Sequence, residues 1–171
     1  ISGGEILAQP EFTRAVLRNC RAECMHTAIE TSFFAPWETI KSILPYVNLA
    51  FVDMKFFSND LHKQYTGVDN ELIKQNLLAT NELEDKFQLV IRTPIIPGLN
   101  DSEEELCKIG EFCTKLKKLS YVQLLPYHKL GTATYEKLGR TYALPDIKSP
   151  TPDQMAGYVK IIERYVENVI F

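Results

Sequence analysis

Six polar positions, Glu5, Glu30, Asp53, Lys55, Arg92 and His128, each stand at or near the end of a β-prone run. Glu5 follows Gly3-Gly4, Glu30 heads Glu30-Thr31-Ser32, and Asp53 and Lys55 close "VNLAFVDMK". Arg92 lies in "FQLVIRTPII", and His128 follows "LLPY". Glycines let a ligand approach the main chain, and free carbonyls beside a carboxylate suit an ammonium group. Arg92 or Lys55 suits a carboxylate. Together they describe a pocket for an amino-acid-like ligand with a polar tail. Each has an ordinary reading alone: a turn for the glycines, a surface pair for Asp53 and Lys55, a structural role for one histidine. Convergence at one mouth is what gives the set its chemistry.

Cys20 and Cys24 invite a metal or redox reading, but a C-x-x-x-C-x-x-C cluster motif needs a third cysteine at position 27, which is Thr27. Both fall in "PEFTRAVLRNCRAEC", a helical pattern with Phe12 and Val16 at core spacing after Pro10. They are expected as structural thiols on one helix face, without metal. Cys107 and Cys113 read as core.

The elements that must position these residues alternate along the chain. "MHTAIETS" reads as a short strand and "APWETIKSILPYV" as a helix opened by Pro36 at N1 and closed before Pro45. "VNLAFVDMKFF" has the near-continuous apolar character of a parallel strand covered on both faces. "DNELIKQNLLATNELEDK" follows as an amphipathic helix with Leu72, Ile73, Leu77 and Leu78 inward. Then come the strand "FQLVIRTPII" and a helix capped at Asp101 or Ser102, with acids in its first turn and lysines in its last. The strand "SYVQLLPY" precedes a terminal helix "TPDQMAGYVKIIERYVENVI" capped near Thr151. Strict alternation predicts an α/β fold of parallel strands joined by helical crossovers, with ligands at the strands' carboxyl ends.

A length of 171 residues suits one domain spanning 1–171. Composition is 45% hydrophobic and 24% charged, which argues against disorder. A net charge of −3 gives no electrostatic footprint for nucleic acid. The apolar runs are strand-sized and no charged leader precedes one, so the chain reads as cytoplasmic, without a membrane partner.

The motifs "SGGE", "HTAIETS", "VDMK", "IRTPIIPGLNDS" and "LLPYHKLG", in order from residue 1 to about Gly139, resemble those of glycyl-radical-enzyme activating enzymes. This is the pyruvate formate-lyase activase family of the radical S-adenosylmethionine superfamily. The resemblance implies a partial (β/α) barrel. It implies that Gly3, Gly4 and Glu5 bind the methionyl amino group of S-adenosylmethionine, and that Glu30 and Thr31 lie beside that ligand, around a monovalent cation. Asp53 and Lys55 match the family's D-x-K strand end, Arg92 its strand-end arginine, and His128 its histidine near the ribose. The implied reaction is reductive cleavage of S-adenosylmethionine to a 5'-deoxyadenosyl radical, which takes hydrogen from a glycine of a partner enzyme such as pyruvate formate-lyase. An electron donor is implied as second partner. The cofactors carry the radical chemistry while the protein positions and shields.

The family's four-iron four-sulfur cluster is held by three cysteines upstream of "GGE", and this chain contains no such triplet. "ISGGE" is therefore expected as the end of a second strand, in a barrel missing its first β/α unit and in a fragment inactive by itself. The edge strand "HTAIETS" would be poorly protected and Ile29 exposed, inviting self-association. Ile6 stands where the family often has Pro, Phe33 where it often has Gly, and Thr134 precedes Tyr135 where Lys is common. Two other readings fit the residues: a different radical S-adenosylmethionine enzyme acting on a peptide or small molecule, and a binding module without a cluster.

Overall fold

The computed structural model describes residues 1–128, 137, 139, 144 and 146–171. Its centre is a sheet of five parallel strands in sequential order: β1 (Ala28–Thr31), β2 (Leu49–Asp53), β3 (Gln88–Ile95), β4 (Leu119–Pro126) and β5 (Val169–Ile170). Before β1 lie a short 3-10 turn (Ile6–Ala8) and α1 (Pro10–Ala22). The crossovers carry α2 (Trp37–Ile43), then α3 (Asn59–Thr66) with α4 (Glu71–Ala79), then α5 (Glu103–Cys113), then α6 (Pro152–Ile162). This is the expected α/β architecture, with an open rather than closed sheet. No helix among the described residues is long and apolar enough to cross a membrane. Thr134 and Tyr135 lie outside the described residues.

Strand residues alternate between two faces. Ile29, Ala50, Val52, Leu89, Ile91, Val122 and Leu124 are buried and join the helices in the main core. The other face, with Glu30, Phe51, Asp53, Arg92 and Gln123, is only half-buried. The expectation that β2 is covered on both faces is thus corrected: among the described residues Leu49, Phe51 and Asp53 on its second face are only half-buried, although Val90 of β3 is buried on that side.

Several expected details change for tertiary reasons. Ile1 donates to the Ala28 carbonyl and accepts from the Glu30 amide, beside β1, but none of Ile1 to Glu5 is strand. Ile29 is only 1% exposed, because it lies in the same core as Ile6, Leu7 and Leu17 from the opening turn and α1. In α1 the buried residues are Thr13 and Leu17, while Phe12 is 64% exposed. Cys24 lies beyond the end of α1, exposed and with φ of 58°, so it does not share a helix face with Cys20. Cys113 is buried, and burial pushes its thiol up to about 12, whereas Cys107 is half-buried and takes a hydrogen bond from Arg164.

Pro36 is the residue before α2 rather than its first member. In α4, Leu78 is exposed and Asn76 takes an inward position instead, donating to the carbonyls of Phe33 and Ala35 at 2.9 Å each. Ser102 caps α5 as expected, but the helix ends before the lysines. Thr151 and Gln154 form a reciprocal cap on α6, which ends at Ile162. The tail beyond it returns as β5, because Val169 and Ile170 can pair with the free side of β4. Helix α3 has no sequence expectation behind it. Ser58 caps its start, and Gly67, at φ of 87°, closes it in the left-handed region that glycine enters without steric cost.

Candidate functional site

The carboxyl ends of β1, β2 and β3 form a cleft of about 230 Å³ lined by Ser2, Gly3, Gly4, Glu5, Glu30, Thr31, Ser32, Asp53, Lys55 and Arg92. Eight of the nine residues expected from sequence therefore meet in one place. His128 follows β4, is exposed, and is not among the lining residues. Ser2 and Ser32 were missed as site members, although their adjacency to Gly3 and Thr31 was a usable signal. A larger groove of about 570 Å³, lined by Glu11, Arg14, Ala15, Arg18, Ser42 and Tyr46, runs along α1 and holds no strand-end residue.

Arg92 organises the cleft. In-register parallel pairing sets it beside Asp53, and its guanidinium bonds Asp53 Oδ1 through Nε at 3.1 Å and Nη2 at 3.0 Å. Its Nη1 meets Glu30 Oε1 at 3.0 Å, so one side chain ties three strands together. The Phe51 ring lies beneath the guanidinium, 5.4 Å from its centroid. Burial works against the Arg92 cation, but Asp53 and Glu30 outweigh it and raise its pKa. Lys55 reaches Asp53 Oδ2 at 2.9 Å. Glu30 is held below the usual carboxylate range, first by the Ser2 hydroxyl at 2.6 Å and then, against some desolvation, by Arg92.

Glu5 straps the opening loop down. Its Oε1 accepts from the Thr31 hydroxyl at 2.6 Å and the Leu7 amide at 3.0 Å, and its Oε2 from the Ser32 amide and hydroxyl at 2.9 and 2.6 Å. A carboxylate has about four lone-pair sites, so Glu5 is filled by its own chain. Gly3, at φ of 123°, turns the chain in a region that glycine enters without steric cost. Burial alone would raise the Glu5 pKa, but bonds from Ser32, Thr31 and Leu7 lower it overall.

A lowered folded-state pKa contributes stability that is present above the unfolded carboxyl value, near 4.3, and is lost as pH falls through the folded value. Glu5→Gln is therefore expected to cost about 1 to 2 kcal/mol at neutral pH, by turning one acceptor into a donor facing donors. The gap should close on acidification. Thermal melts of both chains at neutral and acid pH would show it, and a gap independent of pH would contradict the strap.

Among the described residues no group of three or more His, Cys, Asp or Glu is arranged to hold a metal ion. The cleft's charges do fit S-adenosylmethionine. Three carboxylates and two cations line it, leaving one negative charge for a ligand whose sulfonium and ammonium outnumber its carboxylate.

No family model matches the chain. The indoleacetate decarboxylase activating enzyme of Tractidigestivibacter scatoligenes is 35% identical over 165 residues, covering 96% of this chain and 52% of its own length. The isethionate sulfite-lyase activating enzyme of Nitratidesulfovibrio vulgaris is 42% identical over 147 residues, 86% of this chain and 47% of its own. The chain thus spans about half the length of these curated relatives. Among solved structures, a domain of pyruvate-formate lyase-activating enzyme from Bacteroides vulgatus superposes with a TM-score of 0.81 at 26% identity, over 100% of this chain and 96% of that one. Streptococcus suis SuiB shares the fold, with a TM-score of 0.71 at 16% identity over 99% of this chain and 37% of its own. With this fold, these relatives and the five ordered motifs, the chain belongs to the glycyl-radical-enzyme activating enzymes of the radical S-adenosylmethionine superfamily.

Proposed function

We propose that residues 1–171 form one domain that holds S-adenosylmethionine within a longer cytoplasmic activating enzyme whose partners are a glycyl radical enzyme and an electron donor. The observation that carries this is the Arg92 clamp on Glu30 and Asp53, set beside the Gly3-Gly4 turn at the strand ends. In this reading Gly3 and Gly4 hold the methionyl ammonium through their carbonyls. Lys55 offers the cation for its carboxylate, and Asp53 and Glu30 face the sulfonium side. Glu5 and Thr31 fix the loop, and His128 serves the ribose. Held there beside the four-iron four-sulfur cluster of the complete protein, S-adenosylmethionine would be reductively cleaved and would supply the radical that takes hydrogen from a glycine of the partner enzyme.

Two measurements bear on it. In the complete, reconstituted protein, Asp53→Ala is expected to weaken S-adenosylmethionine binding by about 1.5 to 3 kcal/mol, the worth of a charge-assisted hydrogen bond. Equilibrium binding that stays unchanged would remove Asp53 from the site. The 171-residue chain alone is expected to bind the ligand weakly, to be catalytically silent and, because it has no cysteine triplet of the family type, to develop no stable iron-sulfur absorbance on anaerobic reconstitution. Cleavage of S-adenosylmethionine by that chain would refute the reading.

A further inference from the structure

Residues 54–58 join β2 to α3 along the rim of the cleft without regular secondary structure, yet buried side chains hold their main chain from outside. The Thr93 hydroxyl donates to the Met54 carbonyl at 2.9 Å, and Asn100 Nδ2 to the Lys55 carbonyl at 2.7 Å. Asn70 Nδ2 donates to the carbonyls of Phe56 and Phe57 at 2.7 and 3.1 Å, and Glu105 accepts from the amides of Phe57 and Ser58. Thr93 and Asn100 are both 0% exposed.

Asn100 makes three bonds. Its Oδ1 accepts from the Ile96 amide at 2.7 Å and its Nδ2 also donates to the Pro94 carbonyl at 2.6 Å, both within β3 and the turn that follows it. Of the three, only the bond to Lys55 leaves that neighbourhood, and it spans 45 residues of sequence. Met54 and Phe56 are buried, whereas Lys55 between them lines the cleft with its side chain partly exposed. Burial of the two neighbours holds the rim down, but hydrophobic contact is non-directional. Hydrogen bonds have preferred angles, so those to the Met54 and Lys55 carbonyls fix the rotation of the rim and the direction in which the lysine stem leaves it. Of the three donors on the Lys55 ammonium, Asp53 Oδ2 takes one.

We propose that Asn100, with Thr93, is a positioning residue for ligand recognition: by clamping the rim it aims the Lys55 ammonium at the carboxylate of the bound ligand. The inference rests on the reading that Lys55 takes the methionyl carboxylate of S-adenosylmethionine. Neither Asn100 nor Thr93 lines the cleft, so both act through the rim. A lysine is a compact charge on a flexible four-carbon stem, and a rim free to rotate would carry that charge off its target.

The test measures equilibrium binding of S-adenosylmethionine, and of its decarboxylated analogue, to the complete reconstituted protein. Lys55→Met is expected to weaken S-adenosylmethionine by about tenfold or more and the analogue by less than about twofold, as loss of one charge-assisted hydrogen bond requires. Asn100→Ala should show the same selectivity, with a several-fold loss for S-adenosylmethionine alone. It should add nothing in a Lys55→Met background, because its effect runs through that ammonium. Thr93→Val, which keeps the shape and removes only the hydroxyl, should give a smaller loss of the same kind, and it decides the matter if Asn100→Ala does not fold. Equal loss of both ligands in Asn100→Ala and Thr93→Val would mean a general loosening of the domain and overturn the inference. Unchanged affinity, or losses that add to that of Lys55→Met, would overturn it too. A Lys55→Met protein that binds both ligands as the parent does would instead strike the assignment of the carboxylate to Lys55, and the inference with it.

Discussion

Phe33→Gly is expected to destabilise the chain by about 1 to 4 kcal/mol, even though it installs the residue that the family often carries there. Two effects oppose each other. Phe33 has φ of 56°, the left-handed region, where a side chain costs about 1 to 2 kcal/mol that glycine would recover. Its ring, however, is 0% exposed within the main core, and emptying such a site costs about 3 to 5 kcal/mol. Cavity wins over strain. Asn76, which donates to the Phe33 carbonyl, holds the loop in the strained conformation whichever residue occupies it. Urea unfolding of Phe33→Gly beside Phe33→Leu, which keeps the strain and most of the volume, checks the ledger. A glycine variant as stable as the parent would show that the ring contributes little and that strain dominates.

Arg92→Met has the second large effect, at the site itself. It removes the cation that joins Glu30 to Asp53 across neighbouring strands, leaving Glu30 without its ion pair and Asp53 with Lys55 alone. Removing one partner of a fully buried pair costs about 3 to 5 kcal/mol. Here the side chains of Glu30 and Asp53 are 40% and 26% exposed, so solvent screening brings the expected loss down to about 2 to 3 kcal/mol at neutral pH.

The pH dependence follows from the same charges. In the parent, the lowered Glu30 pKa contributes stability above the ordinary carboxylate range that is lost as pH falls. In the variant the two facing carboxylates repel, so taking up a proton favours the folded state. The gap between parent and variant should therefore narrow as pH is lowered from neutral toward 4, by thermal melts in matched buffers. A gap that does not change with pH would mean that Arg92 acts through packing on Phe51 rather than through charge. In the complete protein the same substitution is expected to abolish tight S-adenosylmethionine binding.

Much of this was legible along the chain because local chemistry dictates it. Apolar β-branched runs made β2, β3 and β4 readable, Ser102 and Thr151 announced their helices by capping, and alternation implied a parallel sheet. Parallel order in turn placed Gly3, Gly4, Glu5, Glu30, Thr31, Asp53, Lys55 and Arg92 at one end. What the residues do there depends on partners far away in sequence. Glu5 meets Thr31 across 26 residues and Arg92 meets Asp53 across 39, in contacts fixed by register and loop closure that no window of sequence contains.

The same holds for the exceptions. Asn76 faces inward because two strained-loop carbonyls need donors, and Phe12 faces outward because Thr13 and Leu17 form the contact face of α1. The last residues become β5 because β4 offers them a free edge. The sequence determined which residues could do chemistry and at which strand ends they stand. Tertiary structure decided which carboxylates are free and which are consumed, because hydrogen bonds saturate and only the folded chain shows which partners arrive first.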